Sequence, residues 1–325
     1  MYLCSVKVSL LVPVYGVEKY IEQCAVSLFE QTYEDIEYIF VDDCTPDNSI
    51  LKLQSVLDRY PNRAPQVKII RHDHNRGLGA ARKTALASCT GDFVLNVDSD
   101  DFLSINAVEL LVAQQVSQEA DIVTGCIRIY RGEKLSETLQ VPHEDKKVIL
   151  KLLLIHNTIP HNLCGRLIRK TLFTDNGISP EEGVNQAEDY AVTPRLFFCA
   201  KKLAFVDTPI YHYQVFITGS FSDQISPRHV ESFLRANDLV FSFLKQHDVQ
   251  QDYQFALSLG MLETYYLVLK SGFSSQDILQ TCHYKPQGLF KMIHLLLAHK
   301  STIKLLRFVY LTIKWSYKKH LHFAG

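Results

Sequence analysis

The run Gly91-Asp92-Phe93-Val94-Leu95-Asn96-Val97-Asp98-Ser99-Asp100-Asp101 constrains the chain more than any other stretch. Phe93 to Val97 has the length and apolar composition of a buried parallel strand, with Gly91 and Asp92 as the turn before it. Chain direction then puts Asp98, Asp100 and Asp101 at the strand's C-terminal edge. In open α/β sheets that edge is where ligands sit. Three acids within four residues repel one another unless a cation is shared among them. Capping of the helix that begins near Ser104 is the competing account of one or two of them.

The stretch before it repeats one pattern. Val6 to Val14 is a near-continuous β-branched and leucine run, as a strand buried on both faces requires. Pro13 cannot donate to a ladder, so the strand is expected to stop there, with Tyr15 opening a loop. Val17 to Gln31 carries Tyr20, Ile21, Cys24, Leu28 and Phe29 at helical spacing. Ile36 to Val41 reads as a second strand, ended by Asp42 and Asp43, with Asp47 or Asn48 capping a helix to Tyr60. Val67 to Ile70 is a third strand, and Gly77-Leu-Gly-Ala-Ala-Arg82 starts another helix. Strand and helix alternate with short links, which predicts an α/β fold with a mostly parallel sheet flanked by helices.

Further on, Ala107 to Val116 reads as a helix and Asp121 to Ile129 as a strand. Tyr130 to Lys147 reads as a loop or hairpin. His143, His156 and His161 are isolated. From about Pro227 the pattern turns helical, with Val230 to Lys245, Tyr253 to Lys270 and Gly288 to Trp315 as helices. A helical C-terminal extension over 227–325 is therefore expected after a first domain at 1–226.

With 325 residues, 47% of them apolar and a formal net charge of −1, the chain reads as soluble and globular. Nucleic-acid binding has little support, since the basic residues do not cluster in the sheet region. The eight cysteines are scattered without a Cys-x-x-Cys pair, which argues for reduced thiols in a cytoplasmic setting. No apolar run approaches the roughly 18–20 residues of a membrane-spanning helix, and no signal peptide is read before the first strand.

Several of these segments carry a resemblance. Val8-Ser-Leu-Leu-Val-Pro-Val-Tyr15, Tyr20-Ile21, Gln31-Thr32-Tyr33 and Val41-Asp-Asp-Cys-Thr-Pro-Asp-Asn-Ser49 resemble the family 2 glycosyltransferases. Asn75-Arg-Gly-Leu-Gly-Ala-Ala-Arg82 and Asp98-Ser-Asp-Asp101 follow in that family's order, and the likeness runs from about Val6 to Ser222. It implies a GT-A fold, with a nucleotide-sugar half at about 1–101 and an acceptor half at about 102–226. It also implies an inverting enzyme of bacterial capsule, O-antigen or lipooligosaccharide synthesis, using a nucleotide sugar, above all a UDP-sugar. The acceptor would be a saccharide or a lipid-linked saccharide.

The resemblance assigns roles to the residues that match. Pro13 would belong to the donor site, Tyr15 would stack on the nucleobase, and Asp43 would accept a hydrogen bond from uracil N3. Arg82, in the first turn of its helix, would approach the diphosphate, or would remain a solvated helix residue. Asp98 would lie near the ribose. Asp100 would ligate Mn2+ or Mg2+, ions that favour oxygen ligands and retain phosphate and water.

Glu181-Glu-Gly-Val-Asn-Gln-Ala-Glu-Asp-Tyr190 opens a helix expected at Tyr190 to Phe198. Helix capping accounts for its acids on physical grounds, whereas the resemblance makes Asp189 the general base. Leu163-Cys-Gly-Arg-Leu-Ile-Arg-Lys170 is assigned a structural role. Tyr211-His-Tyr-Gln-Val-Phe-Ile-Thr-Gly-Ser-Phe-Ser222 departs from the family. Where a histidine often precedes Gly-Ser, this chain has Phe216 or Ile217, and the nearest histidine is His212. After Asp277 come eight Lys and Arg residues and no acid. Those helices would lie on an anionic bilayer at the inner membrane, or pack on the catalytic domain or a second subunit.

Rival classes fit less well. A sugar-phosphate nucleotidyltransferase would want a glycine- and arginine-rich loop where Pro13-Val-Tyr-Gly16 stands. A dinucleotide-binding oxidoreductase would want a glycine where Arg82 stands. A degenerate sugar-nucleotide-binding scaffold is opposed by Asp43, Asp98, Asp100 and Asp189, and favoured by Phe216.

Overall fold

The computed structural model describes residues 6–132, 134–141, 145–156, 158–215, 226–270, 310–317 and 319. The chain divides into two compact units. One comprises Met1–Val141, Asn162–Asn185 and Cys199–Asp223; the other comprises Pro142–His161, Gln186–Phe198 and Gln224–Gly325. This grouping is not the linear division at residue 226, because two segments of the middle of the chain join the helical residues.

The first unit is a sheet with helices. In chain order it contains β1 (Val8–Val14), α1 (Ile21–Phe29), β2 (Ile36–Asp42), α2 (Ser49–Leu57), β3 (Val67–Arg71), α3 (Leu78–Ser88), β4 (Phe93–Asn96), β5 (Phe102–Leu103) and α4 (Ala107–Gln118). The hairpin of β6 (Ile122–Arg131) and β7 (Lys134–Leu139) follows. The strand order is β3-β2-β1-β4-β8-β6-β9-β5, with β7 added on β6. Here β8 is Arg166–Arg169 and β9 is Leu203–Val215, and the short helix α6 (Thr171–Thr174) follows β8.

The first four strands are parallel, as the alternation of strand and helix requires. All seven residues of β1 are buried, which explains its unbroken apolar run. The expected stop at Pro13 falls one residue early. Pairing with β4 ends at Leu11↔Asn96, but pairing with β2 continues through Pro13↔Val41 to Val14↔Asp42. A proline lacking its N–H is tolerated where only one neighbour remains. The helix expected from Val17 begins at Ile21, after a turn. Its buried residues Ile21, Cys24, Leu28 and Phe29 are those that marked its period.

The second half of the sheet is mixed. β8 is antiparallel to both β4 and β6, with Leu167 opposite Leu95 and Val123. β9 runs parallel to β6 and antiparallel to β5, with Phe102↔His212. The acid turn is thereby bounded by a central strand, β4, and an edge strand, β5.

The second unit holds α5 (Lys146–Leu154), most of α7 (Glu188–Cys199), α8 (Pro227–Gln246), α9 (Gln250–Lys270) and helical residues 310–317. Ser226 and His229 close a reciprocal capping box at the start of α8. A Cβ on Gly260 would lie 2.2 Å from the Leu154 carbonyl oxygen, so only glycine lets α9 approach α5 this closely. His156 and His161 pack within the helical unit. Their rings lie 4.2 and 5.3 Å from that of Tyr190, and His156 Nε2 meets Thr264 Oγ1 at 3.2 Å. Burial holds His156 down to about 4, so it is neutral at physiological pH. The Gly288 to Trp315 helix falls largely outside the described residues, as do His143 and Phe216 to Ser222. Among the described residues no helix is long and apolar enough to cross a membrane.

Candidate functional site

Three parallel strands deliver the candidate residues to one sheet edge. β1 ends at Val14, β2 at Asp42 and β4 at Asn96. Pro13 is buried within β1, and Tyr15, just past it, is 48% exposed, an aromatic surface beside the strand end. Gly16 takes φ +69° and donates its N–H to Thr45 Oγ1 at 2.9 Å.

The two acids after β2 do different things. Asp42 accepts from Thr45 N at 2.8 Å and pairs with Arg71 at 3.4 Å, so it shapes the turn. Asp43, 3% exposed, holds the loop that leads into α3. Its Oδ1 meets His72 Nδ1 at 2.6 Å and accepts from Arg76 N at 2.9 Å, while Oδ2 accepts from Gly77 N at 2.7 Å. His72 Nε2 in turn meets Thr84 Oγ1 at 2.9 Å. Asp47 caps α2, accepting from Ser49 N at 3.1 Å. The N-cap position itself belongs to Asn48, whose side chain makes no capping bond.

The start of α3 is held from a second segment. Gly79 N donates to Asn185 Oδ1 at 3.0 Å, and Arg76 pairs with Glu182 through bonds of 3.2 and 2.8 Å. Gly77 sits at φ +88°, and a Cβ on Gly79 would lie 2.2 Å from the Glu181 carbonyl oxygen. These glycines allow the loop at 181–185 to close against α3.

Arg82 is not a solvated helix residue. It is 1% exposed, and Nη2 donates to Asp98 Oδ1 at 2.8 Å. The reach from the first turns of α3 into the sheet edge buries it. Asp98 Oδ2 accepts from the Cys164 thiol at 3.4 Å, and Asp98 N donates to Tyr211 Oη at 3.1 Å. Asp101, 1% exposed, accepts from the Tyr211 hydroxyl at 2.7 Å and from Gln214 N at 2.8 Å. Burial, then Asp100 and Asp98, raise its pKa well above the usual carboxylate range.

Asp100 differs from its neighbours. Among the described residues its carboxylate is engaged by its own backbone amide and by the charge of Arg82, with no side-chain hydrogen bond, and it is partly exposed. Burial, followed by the charge of Asp98, raises it to about 6. A divalent cation would relieve that repulsion. No group of three or more His, Cys, Asp or Glu among the described residues could cage a metal. The fit is therefore to an ion held by one carboxylate, completed by ligand phosphate and water, as Mg2+ and Mn2+ accept.

His212 does not fill the place of the missing histidine. It stacks on Phe102 at 4.5 Å, and its nitrogens meet Ser104 Oγ at 2.9 Å and the Tyr130 hydroxyl at 3.2 Å. The position expected to carry that histidine, Phe216 or Ile217, lies outside the described residues.

Asp189 stands in the first turn of α7, half-buried, in the helical unit. Ala187, two residues before it, adopts φ +59°, and Cys44, next to Asp43, adopts φ +57°. Non-glycine residues resist this conformation, and such strain clusters at functional sites. Sequence reasoning did not find His72, Cys164, Tyr211 or Gln214. Each meets the acids only through strand order, for which the sequence carries no local signal.

The family model for glycosyl transferase family 2 matches residues 9–176, ending before Asp189. The putative glycosyltransferase EpsH of Bacillus subtilis is 28% identical over 254 residues, covering 76% of this chain and 72% of the relative. The poly(ribitol-phosphate) beta-N-acetylglucosaminyltransferase TarS of Staphylococcus aureus is 26% identical over 234 residues, 70% of this chain and 39% of the relative. The crystal structure of S. aureus TarS 1–349 in complex with UDP superposes with a TM-score of 0.66 at 22% identity, over 97% of this chain and 92% of that one. That likeness bears out the GT-A architecture expected from the sequence. With strand edges, acid turn and family match in agreement, the chain belongs to glycosyl transferase family 2 and is a glycosyltransferase.

Proposed function

We propose that the enzyme transfers a sugar, with inversion, from a UDP-sugar to a hydroxyl of a glycan or lipid-linked acceptor of bacterial surface-polysaccharide assembly. The observation that carries this reading is the acid turn. Asp98 is bound to Arg82 and Cys164, Asp101 to Tyr211 and Gln214, and Asp100, partly buried, accepts no side-chain hydrogen bond among the described residues. A rigid turn with one uncommitted carboxylate suits a cation-borne diphosphate. The names of two relatives, a poly(ribitol-phosphate) beta-glucosyltransferase and the poly(ribitol-phosphate) beta-N-acetylglucosaminyltransferase TarS, support the pathway class, and the UDP in the TarS structure supports the donor.

In this reading Tyr15 offers its ring to the nucleobase, beside Pro13, and Asp43 has lone-pair capacity left for uracil N3. Asp98, fixed by Arg82, faces the ribose. Mn2+ or Mg2+ at Asp100 would neutralise charge developing on the departing nucleoside diphosphate. Asp189 takes the proton of the acceptor hydroxyl.

Titration calorimetry of UDP, with and without Mn2+, on the wild type and on Asp100→Asn tests the donor site. The expected result is metal-dependent binding in the wild type, lost in the variant. Absence of UDP binding in the wild type under both conditions would overturn the UDP reading.

A peripheral membrane contact belongs to the same reading. Leu311 and Trp315, one helical turn apart, are 47% and 65% exposed, and Lys319 Nζ lies 5.4 Å from the Trp315 ring centre. With eight cationic residues and no acid after Asp277, this end suits an anionic lipid surface. Co-flotation with anionic but not zwitterionic vesicles is expected, and equal behaviour with both would remove the electrostatic contact.

A further inference from the structure

The end of β9 wraps the acid turn. The Tyr211 hydroxyl donates to Asp101 Oδ2 at 2.7 Å, and Gln214 N donates to Asp101 Oδ1 at 2.8 Å. Between them stands Tyr213, paired in regular register with Ile129 of β6. The two-residue period of a strand puts Tyr213 on the same face as Tyr211, one step further along. Tyr211 is 1% exposed, whereas Tyr213 is 37% exposed.

The surroundings of the phenol point the same way. Burial, then the charges of Asp101, Asp100 and Asp98, push its ionisation up to about 12. Among the described residues the Tyr213 hydroxyl makes no hydrogen bond, although Tyr211, Cys164 and Arg82 all donate to the acids of this turn. A neutral donor beside three carboxylates is the group best placed to receive an anion that a cation has brought to Asp100.

We infer that Tyr213 is a donor-contacting residue whose hydroxyl hydrogen-bonds a non-bridging oxygen of the nucleotide sugar's diphosphate. The inference rests on the donor reading given under Proposed function. In the transfer step the acceptor oxygen forms a bond to the anomeric carbon, and the bond from that carbon to the diphosphate oxygen breaks. Its electron pair stays on the diphosphate, and the acceptor proton passes to Asp189. Tyr213 keeps its proton throughout. Its hydrogen bond strengthens as the diphosphate gains charge, which is where a fixed donor contributes most.

Tyr213→Phe removes the hydroxyl and leaves the ring, so the variant should fold. The test is calorimetry of UDP and of uridine in the presence of Mn2+, together with steady-state turnover and a thermal melt. UDP affinity and kcat are each expected to fall about tenfold, with uridine affinity and the melt unchanged. A packing role alone would move the melt and not the difference between UDP and uridine. Wild-type UDP binding with a variant of unchanged UDP affinity and kcat would overturn this assignment alone. A wild type that binds no UDP would overturn the donor reading and this assignment with it.

Discussion

Asp189→Asn is expected to lower kcat for sugar transfer by about a thousandfold, within the range of about 10²–10⁴ for loss of a positioned general base. UDP affinity should stay within about twofold, because every residue assigned to the nucleotide and metal lies elsewhere. Asparagine keeps the size of the side chain and its capping capacity at the start of α7, so helix stability should change little. What it lacks is the anionic, basic carboxylate needed to take the acceptor's proton. The left-handed Ala187 two residues upstream is the observation that raises this helix start over an ordinary acidic first turn. Glu188→Gln serves as the control and should retain most activity. The measurement is kcat and KM for both variants beside UDP calorimetry. Full turnover in Asp189→Asn would remove the base assignment, and an equal loss in both variants would point to a structural role for the helix start.

Asp43→Ala should be the most damaging single change for stability near the nucleotide site. Three donors converge on this 3%-exposed carboxylate: the His72 ring, Arg76 N and Gly77 N. Truncation leaves all three without their acceptor in a buried place, at roughly 1–3 kcal/mol for each unsatisfied group and less than the sum once the loop relaxes. We expect about 3 kcal/mol lost in urea denaturation and no measurable UDP binding. Asp43→Asn should lie between wild type and alanine, since one amide oxygen still accepts while its NH2 faces donors. A stability loss under about 1 kcal/mol for the alanine variant would show that the loop does not depend on Asp43. His72→Ala separates the two roles of Asp43. It should loosen the loop while leaving the carboxylate to receive the base, so UDP binding should weaken rather than vanish.

The first hundred residues were largely legible in the sequence. Buried parallel strands need long apolar runs such as Val8 to Val14, and each crossover helix needs a one-sided apolar period such as Ile21, Cys24, Leu28 and Phe29. Both signals are local, so composition and spacing were enough to place Asp43 after β2 and Asp98 to Asp101 after β4. The family resemblance rested on the same stretches, and the matched region, 9–176, lies mostly there.

Tertiary structure decided the rest, because long-range pairing leaves no local mark. The four residues of β8 are too few to show a period, yet they occupy the middle of the sheet between β4 and β6. Of the thirteen residues of β9, only Tyr211 to Val215 fall in a segment that the sequence singles out, and their partner β5 has two residues. That pairing carries Tyr211, Tyr213 and Gln214 to the acid turn across more than a hundred residues of chain. The sequence by itself determined which carboxylates reach the sheet edge, since chain direction along an apolar strand fixes its C-terminal end. Only the fold decided that Asp98 and Asp101 are bound by Arg82, Cys164, Tyr211 and Gln214 while Asp100 keeps its carboxylate free of side-chain partners among the described residues, because those partners come from strands and a helix that meet only after the sheet is assembled.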